Sequence, residues 1–112
     1  MSTITLKRVE SAADRKAFVD LPWPLYADDP NWVPPLKGQM LGLIGGIKSN
    51  PWFGHAEAAF WLALQDGQVV GRISAKVDQL VIAPTAPGGG PGTGHWGMFE
   101  CIDDQGVADA LF

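Results

Sequence analysis

His55 and His95 are the only imidazoles in the chain and Cys101 is its only thiol, so acid–base, metal and nucleophilic chemistry each have few residues to draw on. The two histidines lie 40 residues apart. A metal site would need further ligands at a fitting spacing, and neither Cys101 nor the carboxylates form such a pattern, so no metal is expected. His95 borders the apolar run 96–102 (WGMFECI) and could serve there as an acid–base group. Glu100 and Cys101 are neighbours in that run. On a strand they face opposite sides, and with no basic partner evident the thiol reads as a buried structural cysteine, not a nucleophile. The stretch 82–95 (IAPTAPGGGPGTGH) invites comparison with a phosphate loop. No Lys-Ser/Thr follows it, and a strand comes next where a phosphate loop would open a helix. It therefore reads as a flexible excursion between strands, part of a loop over 79–95.

These residues depend on a scaffold that the sequence also outlines. Residues 3–9 (TITLKRV) alternate as a first strand. Ser11 with Asp14 marks a helix start, running through Phe18 and Val19 and ending before Pro22. Segment 21–36 (LPWPLYADDPNWVPPL) holds five prolines and two tryptophans, which rules out one regular helix. It serves either as a cover over a sheet or as a wall of a ligand cleft. A second helix spans 36–44 and stops at Gly45-Gly46, and 49–57 connects it to the next strand. Asp66-Gly67, between two β-rich runs within 59–78, predicts a hairpin with a type I′ turn. Pairing Gln65 with Gln68 then sets Leu64 against Val69, Leu62 against Gly71 and Phe60 against Ile73. Gly71 marks a gap, a bulge or a close approach to the backbone. In that register Arg72 and Lys76 line the wetter face, with Arg72 near any cleft at Gly71, and Asp78 closes the strand. Run 96–102 is the fourth strand, and a helix begins within DDQGVADALF (103–112). The expected fold is α+β and mostly antiparallel, ordered strand-helix-helix-strand-strand-strand-helix start, in one domain over residues 1–112.

Composition excludes several function classes. With 112 residues, 46% apolar and 18% charged, the chain is globular in type. A net charge of −4 with eight scattered basic residues argues against nucleic acid. A single cysteine allows no internal disulfide, which suits a cytoplasmic protein. The N-terminus lacks the pattern of a secretory signal, and no run approaches the ~20 apolar residues that cross a membrane, so no membrane partner is expected.

The strings LPWPLYADDPNWVPPL (21–36), NPWFGHAEAAFWLA (50–63), DGQVVGRISAKVD (66–78) and GMFECIDD (97–104), in this element order, resemble the N-terminal half of the GNAT superfamily of acyl-CoA-dependent N-acyltransferases. The likeness covers nearly the whole chain and is nearest to a bacterial branch of longer GNAT-like proteins. It implies an acetyl-CoA or other acyl-CoA substrate, with Glu100, on the fourth strand, as general base toward an acceptor amine. It also implies a Q/R-x-x-G-x-G/A loop after that strand, whose amides hold the CoA pyrophosphate at a helix N-terminus. The corresponding residues are Gln105 and Gly106. They are adjacent, not spaced as the motif requires, and Asp103 and Asp104 would repel a pyrophosphate. The next strand of that fold is not in the chain. The expectation is therefore an incomplete GNAT-like fold without a working CoA site. Two alternatives stand beside it: a non-catalytic, self-associating binding or assembly module, and a truncated reading frame. In either, an exposed fourth strand or the C-terminal helix, with Val107, Ala108, Leu111 and Phe112 adding apolar surface, predicts a homodimer or higher oligomer.

Overall fold

Ser11 opens the first helix with a complete capping box. Its hydroxyl accepts from the Asp14 amide at 3.0 Å, and the Asp14 carboxylate takes up the Ser11 amide in return. Lys7 Nζ sits 2.9 Å from Asp14 Oδ1. That bond, with the amides of Glu10 and Ser11, pushes the Asp14 pKa down to about 2. The computed structural model describes residues 3–46, 48–83 and 89–112. Its elements are β1 (Ile4–Arg8), α1 (Ala12–Asp20), α2 (Pro22–Leu25), α3 (Lys37–Ile44), a 3-10 turn (Pro51–Gly54), β2 (Ala56–Gln65), β3 (Gln68–Asp78), α4 (Gln79–Ile82), β4 (His95–Cys101) and α5 (Gln105–Leu111).

The fold is α+β, with one four-stranded antiparallel sheet in the order β1-β2-β3-β4. Two adjacent rows of residues across it define its faces. Lys7, Leu62, Arg72 and Glu100 stand opposite one another in turn, as do Leu6, Ala63, Gly71 and Cys101. The first face carries α1 and α3, with a core of Phe18, Val19, Ile44, Phe60 and Leu62. Phe18 and Phe60 meet edge to face, with ring centroids 5.4 Å apart. The second face carries α5, with Ala63, Val70 and Val107 at its centre.

The hairpin turn forms as expected, with positive φ at Asp66 and Gly67 and Gln65 opposite Gln68. Beyond Leu64–Val69 the register departs from the sequence reading. Val70 is an extra residue in β3, so Gly71 opposes Ala63, Arg72 opposes Leu62, Ile73 opposes Trp61 and Ser74 opposes Phe60. A one-residue slip moves every later side chain to the other face. Arg72, expected on the wetter face, is therefore buried among the helices, only 5% exposed. Gly71 leaves no gap. A Cβ there would come 2.8 Å from Leu111 Cδ1, 3.0 Å from Val107 Cγ1 and 3.1 Å from Cys101 Cβ, so α5 packs directly on the glycine backbone.

Other bounds differ in smaller ways. The expected loop 79–95 begins with α4, whose N-cap Asp78 accepts from the Leu80 amide at 2.9 Å. Strand β2 starts three residues before the hairpin reading placed it, at Ala56. Val107, expected at the surface, is fully buried, while Phe112 is exposed. The central part of the glycine-rich stretch, residues 84–88, lies outside the described residues.

Candidate functional site: the β4 bulge and its carboxylate

Strand β4 does not run regularly past β3. Arg72 faces Glu100 but Ser74 faces Gly97, so β4 carries one residue too many between them. Met98 takes up the excess, with a φ of 52° that side chains seldom adopt. Arg72 braces the bulge from below: its Nε donates to the Met98 carbonyl at 3.0 Å.

The other end of the same guanidinium is placed by a proline. The backbone stays helical through Leu21 (φ −53°, ψ −41°), so the amide of residue 22 would ordinarily close onto the Phe18 carbonyl. Pro22 has no amide hydrogen. Arg72 Nη1 supplies the missing donor at 2.6 Å, and its guanidinium carbon lies 4.8 Å from the centre of the Phe18 ring. Burial lowers the Arg72 pKa, while the Glu100 carboxylate and Tyr26 pull it back up. An arginine stays charged under both influences.

Tyr26, one residue past α2, reaches across to the sheet and its hydroxyl donates to Glu100 Oε2. The Tyr26 ring is held by Trp32, which also packs edge to face on Trp23. The hydrogen bond to Glu100, then burial, then the charge of that carboxylate raise the Tyr26 pKa. The proline-rich segment thus covers the sheet through Trp23 and contributes a phenol to the site. Tyr26 escaped sequence reasoning. The available signal was that the chain's single tyrosine falls in a segment stiffened by prolines.

The other sequence candidates lie apart from this cluster. His95 starts β4 opposite Lys76, five residues and roughly 15 Å of strand from Glu100. Gln105 and Gly106 open α5, but the amide that a pyrophosphate would need is already taken, since Gly106 N donates to Asp104 Oδ1 at 2.8 Å. Gln105 Nε2 turns away to Asp109 Oδ1 at 2.8 Å. A capped seven-residue helix with Asp103 and Asp104 at its mouth does not fit a CoA pyrophosphate. Cys101 packs beside Val70 and Val107, and burial followed by the charges of Asp103, Asp104 and Glu100 raises its pKa, which suits an inert thiol. His55 is held at Nδ1 by Asp78 Oδ1 at 2.9 Å, and Trp52 Nε1 donates to Asp78 Oδ2 at 3.1 Å. Burial opposes ionisation of Asp78, but bonds from Leu80, His55 and Trp52 outweigh it and lower its pKa. This network ties the 3-10 turn to the end of β3. No group of three or more metal-ligating side chains occurs among the described residues, nor any helix long and apolar enough to cross a membrane.

Together these features define an α+β domain whose bulged fourth strand presents a phenol-bonded carboxylate over a buried arginine. The chain is 43% identical over 104 residues, 93% of its length, to a bacterial ceramide synthase of Caulobacter vibrioides. It is 42% identical over 99 residues, 88% of its length, to protein YghO of Escherichia coli. It spans about a quarter of each of these proteins, 26% and 24%. No protein-family model matches the chain. No solved structure matches it either.

Proposed function

We propose that the chain supplies the amine-activating part of a GNAT-type N-acyltransferase acting on a long-chain amine, with Glu100 as the proton acceptor. The observation that carries this reading is the Tyr26–Glu100 pair at the β4 bulge. An ammonium group must lose a proton before its nitrogen can attack an acyl carbon, and a positioned carboxylate is the group for that task. Tyr26 holds one oxygen of Glu100 and leaves the other to face an amine. Ceramide is an N-acylated long-chain amino alcohol, so the likeness to a bacterial ceramide synthase supports that class of acceptor. The reading assigns the acyl-CoA pyrophosphate to no residue of this chain, because α5 is capped against it. A cytoplasmic setting, where Cys101 stays reduced, belongs to the same reading.

The test is a chimaera in which this chain replaces the matching segment of the Caulobacter vibrioides ceramide synthase. The chimaera is expected to N-acylate a long-chain amino alcohol, followed by mass spectrometry. Glu100→Gln in it is expected to lower kcat by about a hundredfold or more, with KM for the amine within about twofold. A folded chimaera with no activity, or full activity in the Glu100→Gln form, overturns the proposal.

A second reading, a self-associating module, is favoured by a separate observation. Among the described residues no strand pairs with the outer edge of β4, and Trp96 and Phe112 beside it are about 60% exposed.

A further inference from the structure

On the helix-covered face, beside the bulge, lies a cavity of about 260 Å³ lined by Leu43, Trp52, Phe53, Phe60, Met98 and the stem of Lys76, with Asn50 at one side. Its polar groups are already engaged. Asn50 Oδ1 accepts from the Trp52 amide at 3.2 Å and Nδ2 donates to the Leu43 carbonyl at 3.0 Å, while Trp52 Nε1 is held by Asp78. Lys76 is the exception. It is half-buried, and among the described residues its ammonium has no carboxylate partner. The ammonium lies over β4 where Gly97 leaves room for it, since a Cβ on Gly97 would sit 3.3 Å from Lys76 Nζ. An apolar slot with satisfied walls and one unpaired cation at its rim matches a molecule with a hydrocarbon chain and an anionic head.

We propose that this cavity binds a single-chain anionic amphiphile, a fatty carboxylate in its simplest form, with the chain against Phe60 and Met98 and the head at Lys76. At about 30 Å³ for each group of water size, the space takes up about eight or nine methylenes. The site stands independently of proton transfer at Glu100, although Met98 borders both.

Calorimetric titration of the chain with hexanoate, octanoate, decanoate and octylamine tests the proposal without any acyl donor or acceptor. Carboxylate affinity is expected to rise about fourfold per methylene, the equivalent of about 0.8 kcal/mol, and to level off once the slot is full. Octylamine is expected to bind several-fold more weakly than octanoate. Lys76→Met should keep the dependence on chain length and abolish the preference for acid over amine. Leu43→Trp should block the slot and remove binding of all four. Glu100→Gln should change none of these, which separates this site from the catalytic reading. Affinity that ignores chain length, equal binding of octanoate and octylamine to the unaltered chain, or undiminished binding to Leu43→Trp overturns it.

Discussion

Tyr26 is the chain's single tyrosine, so its phenol can be followed alone by ultraviolet absorption. Its bond to Glu100 predicts a titration midpoint above the ordinary value of 10, and Glu100→Gln should bring the midpoint back toward 10. A midpoint indifferent to Glu100→Gln would show that the two side chains do not meet in solution. Because the phenol pKa is raised by folding, the stability this bond provides is complete below pH 10. It is lost as pH climbs from there through the raised value. Arg72 carries a larger share of stability. Arg72→Leu would leave the buried Phe18 carbonyl and the part-buried Met98 carbonyl without their donor, at a cost of about 3 kcal/mol read from urea unfolding. Arg72→Lys should recover little of that loss, since one ammonium on a flexible stem cannot serve two carbonyls on opposite sides.

At the scale of elements, α5 meets the sheet through the bare backbone of Gly71. Gly71→Ala should force Leu111, Val107 and Cys101 aside and lower stability by about 1–3 kcal/mol, with loss of amide protection concentrated in α5. Unchanged protection there would mean that the helix does not rest on that residue. Most of the order of the elements was legible because several junctions have local chemistry: Ser11 with Asp14, Gly45-Gly46 and Asp66-Gly67 all announce themselves, whereas α4 falls inside an expected loop. Of the two bulges, the one at Val70 had a sign in the neighbouring Gly71, read as a gap, a bulge or a close approach to the backbone; the one at Met98 had none, since Met98 looks like an ordinary strand residue. The Arg72 error followed directly, since an unbroken register puts its side chain with the solvent. For the same reason Glu100 could be assigned to a strand from sequence but not to a face.

For the molecule as a whole, the self-associating reading predicts pairing at the outer edge of β4, which no strand covers among the described residues, beside the aromatic group of Trp96, Phe99 and Phe112. Phe112 lies 4.7 Å from Trp96 and 4.9 Å from Phe99, ring centre to ring centre. Size-exclusion chromatography with light scattering is expected to give twice the 12.0 kDa of one chain, and Trp96→Ser with Phe112→Ser to restore the single mass. A clean monomer of the unaltered chain at micromolar concentration contradicts this. The helical layer and the sheet are joined more firmly, through the carbonyl that Pro22 leaves without a donor. The turn into α2 cannot be finished with local parts, so a peptide of residues 11–26 should stay largely unwound in water until the hairpin arrives to complete it. Alanine in place of that proline would let the coil seal itself, and the cation underneath the carboxylate would lose one of its two moorings.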